Sequence, residues 1–239
     1  MIDLPCYIAG EAVTSGERLK VTNPYTGDGV GSVAALDRRD TVRAIETTRA
    51  SSIVLTRYQR AAVLERAGVL LEERRGEFSQ LITAEAGLCM RESTYEVGRA
   101  LDVLHFAAIE ALRDDGQVYS CDITAQGKAR KIFTLREPLG LVAAITPFNH
   151  PLNQVVHKVT PAVAAGVPLV LKPSEKTPLT AIRFVELLYE AGLPGELLSV
   201  VLGPIPEVAA TLVRHPDIDL LSYHGERASG KTARGGGWL

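Results

Sequence analysis

LVAAIT (residues 141–146), PLVL (168–171), LSVVL (198–202) and IDLLSY (218–223) are four short apolar runs in the second half of the chain. Helix-like segments separate them at Leu152–Ala165, Pro178–Ala191 and Ile205–Arg214. Continuous apolar strands that alternate with helices predict an α/β fold, a Rossmann-like parallel sheet with helices on both faces. Right-handed crossovers would make this sheet doubly wound.

The first half of the chain has a helical rhythm from about Asp37 to Asp115. Apolar residues recur at steps of three and four in Arg57–Gly87 and in Glu92–Arg113, and Gly76 is a possible break in the first of these helices. Two short strand candidates follow, Gln117–Cys121 and Arg130–Arg136, and they predict a β-hairpin. The hairpin pairs with a neighbouring subunit in a homo-oligomer or forms a surface flap.

These patterns divide the chain into three parts. Residues 1–116 form an amino-terminal helical part, residues 117–137 the hairpin, and residues 138–239 a βαβ part.

Composition excludes several classes of protein. A net charge of −2 and a hydrophobic fraction of 46% are typical of an ordinary soluble protein with no nucleic-acid partner. No apolar stretch approaches the roughly 20 residues of a membrane span. The start, MIDLPCYIAGEAV, has no basic segment followed by a long apolar run, so we expect no signal peptide. The cysteines, at positions 6, 89 and 121, are widely spaced and make no metal motif, so we expect reduced thiols and a cytoplasmic location.

Polar residues follow the predicted strands at the edge where parallel sheets bind ligands. Asn149 follows the first strand, where its amide could donate to an oxygen that gains negative charge or could cap the next helix. Lys172 and Glu175 follow the second strand and could hold a ribose, or could belong to a polar loop that ends at Pro178. A glycine turn at Gly225 follows the fourth strand, and the usual dinucleotide motif is absent.

The motifs PFNHP, VLKPSEKTP and EAGLPGELLSVV, in this order and spacing, resemble the aldehyde dehydrogenase superfamily from about Tyr7 to Tyr223. EAGLC near Glu85, the segment STYEVGRALDVLHFAAIEALRDDGQVYSCD and the segment REPLGLVAAITPFNHPLNQVVHK are similar to the phosphonoacetaldehyde dehydrogenases within it. The resemblance implies NAD-dependent oxidation of an aldehyde, phosphonoacetaldehyde, to the carboxylate, in phosphonate metabolism.

The resemblance also implies roles for individual residues. Asn149 matches the oxyanion-hole asparagine, and the nicotinamide side of the cofactor site matches Ile145, Thr146, Pro147 and Phe148. Lys172 and Glu175, with Ser174 between them, match the loop that grips the adenosine ribose, where a glutamate favours NAD over NADP. Glycines around the adenine and pyrophosphate match Gly203 and Gly225.

Two further residues are expected to face the substrate. The resemblance implies a substrate tunnel between two helices. His157 lies two helical turns after Asn149 on one of them, and Arg113 ends the helix that forms the opposite wall. A guanidinium and an imidazole together suit a phosphonate dianion. The alternative is that Arg113 pairs with Asp114 or Asp115 and that His157 packs in the core.

The resemblance implies that residues 1–116 belong to the cofactor domain and that residues 138–239 form its βαβ cofactor-binding part. The sequence departs from the family at its carboxyl end, where the tail diverges from about residue 224, and the catalytic domain of the family is expected to be absent from this sequence. The cysteine nucleophile and general-base glutamate of the family match no residue here, so we expect no turnover by this chain alone. Glu226 would bring a negative charge towards the pyrophosphate, and the ending RASGKTARGGGWL lacks helical periodicity. A frameshift near His224, a deliberate truncation and a retained non-catalytic fragment are the alternative origins.

Two other functions stay open at this point. One is a relative that acts on lactaldehyde or, without phosphorylation, on glyceraldehyde 3-phosphate. The other is a non-catalytic binding or assembly fragment that pairs through the hairpin with a full-length partner.

Overall fold

The structure is a computed structural model that describes residues 1–14 and 17–225. The strands in this part of the chain are β1 Ile2–Leu4, β2 Cys6–Ile8, β3 Glu11–Val13, β4 Arg18–Thr22, β5 Gly29–Ala34, β6 Val118–Ser120, β7 Lys131–Phe133, β8 Val142–Ile145, β9 Leu169–Lys172, β10 Leu198–Val200 and β11 Leu220–Tyr223. The helices are α1 Arg38–Arg49, α2 Arg57–Glu73, α3 Arg75–Ala86, α4 Met90–Leu112, α5 Asn153–Ala165, α6 Pro178–Glu190 and α7 Val208–Arg214.

A six-stranded sheet in the order β11-β8-β9-β10-β2-β3 forms the centre of the molecule. Its first four strands are parallel, which confirms the predicted α/β core. The strands β8, β9 and β10 are buried throughout because helices cover both faces, whereas β11 at the edge of the sheet is exposed or half-buried. The strands β2 and β3 add an antiparallel edge, and β1-β5-β4 form a separate three-stranded sheet.

Helices form three layers around the central sheet. The helices α5 and α6 pack on one face, and α1 and α7 pack on the other. A second helical layer, α2, α3 and α4, covers α5 and α6. Within the described residues no helix is long and apolar enough to cross a membrane.

The predicted elements are present, with shifted boundaries. The break in the first long helical segment falls at Arg74 rather than at Gly76, and the second helix is α4. The predicted last helix begins only at Val208, because Pro204 and Pro206 keep the preceding residues out of a helix. The helical description of residues 1–116 applies from Arg38 onwards, since residues 2–34 contribute five short strands.

The predicted hairpin is β6 paired with β7, with Val118 opposite Phe133 and Ser120 opposite Lys131. Every residue of both strands is exposed, including the large apolar side chains of Val118, Ile132 and Phe133. This two-stranded unit therefore has no packing partner within the described chain.

Two buried glutamates join the outer helical layer to the inner one. Glu85 on α3 is 2% exposed and accepts hydrogen bonds from the backbone N–H groups of Leu179 and Thr180, at 2.8 and 2.9 Å, in the first turn of α6. Glu96 on α4 is 1% exposed and accepts from the backbone of Leu152 and Asn153, at 2.9 and 3.0 Å, where α5 begins.

Burial makes the stability of the protein depend on the protonation of Glu85. Desolvation raises the pKa of Glu85 to about 7 against the hydrogen bonds from α6, and the charge of Glu96 adds to the increase. The folded state therefore binds more protons than the unfolded state between pH 4.5 and about 7, so the free energy of unfolding falls as pH rises through this window. At roughly 1.4 kcal/mol per unit of pKa, the loss is on the order of 3 kcal/mol.

We expect Glu85→Gln to remove most of this pH dependence, because glutamine does not titrate. Urea unfolding between pH 4.5 and 8 measures it, with Glu77→Gln, an exposed glutamate on the same helix, as the matched control. An equal slope in wild type and Glu85→Gln would contradict the assignment.

Candidate active site

The carboxyl ends of the parallel strands lie side by side. In register, Ile145 of β8 is opposite Lys172 of β9 and Tyr223 of β11, and Val200 of β10 is opposite Leu171. The chain runs from β8 to β9 and β10 and then returns to the other side of β8 as β11. Ligands of open α/β sheets bind in the crevice outside such a reversal of strand order.

The loops after β8 and β9 contact each other at this edge. Ile145 and Thr146 are buried, whereas Phe148 is exposed. The backbone oxygen of Phe148 accepts from Thr177 Oγ1 at 3.4 Å, and Lys176 Nζ lies 4.4 Å from the centre of its ring. The two predicted cofactor-binding loops are therefore adjacent.

Asn149 does not cap the following helix, so that alternative is wrong. The cap position of α5 is Leu152, and α5 has no local side-chain cap because Glu96 accepts from its first N–H groups. Asn149 is exposed, and its amide makes no hydrogen bond within the described residues. The amide is therefore free to donate to a ligand.

Lys172 and Glu175 form an ion pair at the end of β9. Lys172 is 3% exposed, and its Nζ lies 2.5 Å from Glu175 Oε1 and 3.3 Å from the backbone oxygen of Pro173. Glu175 is half-buried, and Ser174 Oγ accepts from the backbone of Lys176 at 3.2 Å. The loop ends with Pro178 at the start of α6, which also agrees with the alternative of a polar loop that ends at this proline. An ammonium and a carboxylate held together in this way suit the hydroxyl groups of a ribose.

The two glycines predicted near the cofactor have different surroundings. Gly203 is buried, and a Cβ atom there would lie 2.0 Å from the backbone oxygen of Leu36, so close packing of two chain segments already requires glycine. Gly225 is exposed just after β11, where the backbone of His224 donates to the oxygen of Ile145 at 3.1 Å. Glu226 and the divergent tail lie outside the described residues.

His157 and Arg113 line one cavity of about 850 Å³ between α4, α5 and the segment after the hairpin. His157 is exposed, so the alternative that it packs in the core is wrong. Arg113 pairs with Asp115 at 3.0 Å and with Glu110 at 3.3 Å, which confirms the expected ion pair with a neighbouring aspartate.

Arg99 is a cation near His157 that the sequence analysis did not identify. Desolvation, then the charges of Arg99 and Lys158, lower the pKa of His157. Arg99 makes no ion pair within the described chain, and it lies one helical turn beyond Glu96, which contacts the start of α5. Arg113 lies 14 residues farther along α4, about 21 Å at 1.5 Å per residue. Of Arg99 and Arg113, Arg99 is therefore the one that lies beside the amino-terminal half of α5.

None of the three cysteines is an accessible thiol in the loops that follow the parallel strands. Cys6 lies in β2 beside the carboxyl end of β10, since Tyr7 pairs with Val200, but it is fully buried and desolvation raises the pKa of its thiol to about 12. Cys89 directly precedes α4, and Cys121 lies in the hairpin loop. All three are free thiols, and none follows one of the four parallel strands.

An open α/β sheet with polar groups at its switch point is typical of a nucleotide-binding enzyme domain. The sequence pattern of the aldehyde dehydrogenase family matches residues 12–234, and the chain belongs to this family.

Similar proteins include dehydrogenases for several aldehydes. The 3-sulfolactaldehyde dehydrogenase of Priestia aryabhattai is 37% identical over 229 residues, which cover 95% of this chain and 48% of the relative. A similar structure is the crystal structure of an NADP-dependent glyceraldehyde-3-phosphate dehydrogenase from Bacillus halodurans, complexed with NADP. Its TM-score is 0.95 at 32% identity, and the match covers 100% of this chain and 52% of the dehydrogenase chain. Betaine aldehyde dehydrogenase from Staphylococcus aureus, in complex with NAD+, has a TM-score of 0.90 at 31% identity, with 97% and 46% covered. The chain thus spans about half the length of the relatives it matches.

We expect Gly203→Ala to destabilise the fold by about 2–4 kcal/mol, because the added methyl group must displace the backbone of Leu36. Gly68→Ala is the matched control, since nothing lies within 4 Å of its Cβ position in the interior of α2. That change should stabilise the helix by up to about 1 kcal/mol. Thermal unfolding of both variants checks the pair, and a neutral Gly203→Ala would mean that the Leu36 segment yields easily.

Proposed function

We propose that the whole protein oxidises an aldehyde to a carboxylate with a nicotinamide dinucleotide, and that this chain supplies the cofactor-binding half. The observation that carries the proposal is the alignment of Asn149, Lys172 and Glu175 at one sheet edge, in a chain of the aldehyde dehydrogenase family. When bound, the dinucleotide would accept the hydride, and with it the two electrons, that the aldehyde loses on oxidation.

The residues of the edge fit the dinucleotide in separate parts. Ile145, Thr146, Pro147 and Phe148 would line the nicotinamide, and the paired Lys172 and Glu175, with Ser174, would hold the adenosine ribose. Gly203 and Gly225 would lie near the adenine and pyrophosphate. We propose NAD rather than NADP, because the Glu175 carboxylate would repel a 2′-phosphate.

Asn149 would act on the aldehyde itself. Its unpaired amide would donate to the carbonyl oxygen as that oxygen gains negative charge. Cys6 is fully buried with a raised pKa, Cys89 directly precedes α4 and Cys121 lies in the hairpin, so we expect the nucleophilic thiol and the general base to come from residues outside this sequence. We therefore expect no turnover by the 239 residues alone.

An aldehyde with an anionic tail is the substrate class that we propose, with phosphonoacetaldehyde as the specific candidate. The unpaired Arg99, together with Lys158, makes the surroundings of His157 positive. A similar protein is a dehydrogenase of 3-sulfolactaldehyde, which carries a sulfonate. Arg113 is a weaker candidate than Arg99, because Asp115 and Glu110 offset its charge.

The other candidates rest on separate observations. The glyceraldehyde-3-phosphate dehydrogenase of similar structure supports a phosphorylated aldehyde, and lactaldehyde remains an alternative. The exposed apolar side chains of the hairpin favour an assembly role, by pairing with another subunit. A cytoplasmic location stays a prediction.

Calorimetric titration of the chain with NAD and NADP tests the cofactor assignment. We expect saturable binding with NAD preferred, and we expect Glu175→Gln to reduce the preference roughly tenfold by removing the repulsive charge. Glu196→Gln, an exposed glutamate just before β10 at the opposite edge of the sheet, should leave the preference unchanged. Absence of binding to either nucleotide would refute the cofactor-binding role.

The titration of His157, followed by NMR of its imidazole, tests the anion site. Arg99→Gln should raise the pKa of His157 because it removes a nearby positive charge, and Arg113→Gln should change it little. Addition of phosphonoacetate should raise the same pKa in the wild type and less in Arg99→Gln. A larger effect from Arg113→Gln would assign the anion site to Arg113 instead.

A further inference from the structure

The helices that follow the two cofactor loops begin without local caps. Neither α5 nor α6 has a side-chain cap from its own cap residue. The first N–H groups of a helix have no partner within the helix, and leaving them buried and unpaired is unfavourable. Glu96 and Glu85 therefore satisfy them from a different helical layer.

Each carboxylate is suited to this task. Glu96 Oε1 accepts from Leu152 and Asn153, and Oε2 lies 3.2 Å from His150 Nδ1. In Glu85 one oxygen accepts from Leu179 and the other from Thr180. A buried carboxylate at the positive end of a helix dipole makes hydrogen bonds that are stronger than those of a neutral group.

Glu96 and Glu85 lie next to different parts of the carboxyl edge of the sheet. His150, which contacts Glu96, is the immediate neighbour of Asn149. The first residues of α6, which Glu85 holds, follow the loop of Lys172, Ser174 and Glu175. One hydrogen bond of 3.4 Å, between Thr177 and Phe148, joins the two loops directly.

We propose that Glu96 is a positioning residue for the turn that carries Asn149, and that Glu85 is a positioning residue for the loop that holds the ribose. Neither side chain contacts the cofactor. Glu96 sets the nicotinamide end of the site, and Glu85 sets the adenosine end. This inference rests on the cofactor-binding function proposed above.

Calorimetry with two ligands tests the division of roles. NAD has both ends, whereas ADP-ribose lacks the nicotinamide. At pH 8 Glu85 is mainly ionised, since its pKa is about 7. We expect Glu96→Gln to weaken NAD about tenfold and ADP-ribose less than about twofold, and Glu85→Gln to weaken both ligands alike by about tenfold.

The matched controls are Glu92→Gln on α4 and Glu77→Gln on α3, which are exposed glutamates one or two turns from the buried ones. Both should bind like the wild type. If Glu96→Gln fails to fold, Glu96→Asp keeps the charge on a shorter side chain, and the same selective loss of NAD is expected.

The outcomes separate the two proposals. A wild-type chain that binds neither ligand overturns the cofactor-binding function and this inference with it. A wild-type chain that binds both, with Glu96 variants that weaken both equally or neither, overturns the positioning role alone. General destabilisation would weaken both ligands in parallel, so it cannot produce the selective loss of NAD that is expected of the Glu96 variants. For Glu85, an unchanged affinity for both ligands in Glu85→Gln at pH 8 overturns its positioning role.

Discussion

The starts of α5 and α6 impose the constraint on which the rest of the structure depends. Both helices begin beneath another helical layer, where their first N–H groups have no access to water and need acceptors. Glu96 and Glu85 supply those acceptors from α4 and α3. An ionised carboxylate is unfavourable in an apolar interior unless such donors surround it, so each glutamate and each helix start requires the other.

This mutual requirement links stability to the site. The parallel strands bring four loops to one edge, but strand pairing alone does not decide where a loop ends and its helix begins. The outer helices α3 and α4, far from the carboxyl edge in sequence, complete that arrangement through two side chains. The same helix α4 carries Arg99 next to Glu96, so the helix that holds the turn of Asn149 also brings a positive charge towards His157.

Much of the fold was predictable because it depends on local patterns. The apolar runs predicted β8 to β11, the periodicity predicted α2 to α4, and the turn residues predicted the hairpin. The structure confirms all of these elements. The strands of residues 2–34 were not predicted, since strands of three to six residues carry too little periodicity to detect. Arg99, Glu85 and Glu96 were also missed, although glutamates on the apolar stripes of α3 and α4 are an available sign of buried acceptors.

The sequence by itself determined the fold class, the family and the order of the candidate residues, because hydrophobic periodicity and motif spacing are local properties of the chain. Only the tertiary structure decided which side chains meet. It placed Asn149 outside the cap of α5, offset the charge of Arg113 with two carboxylates and packed Gly203 against Leu36. Such contacts join residues that are distant in sequence or that lie on particular faces of their helices, and a one-dimensional pattern does not specify the packing that brings them together.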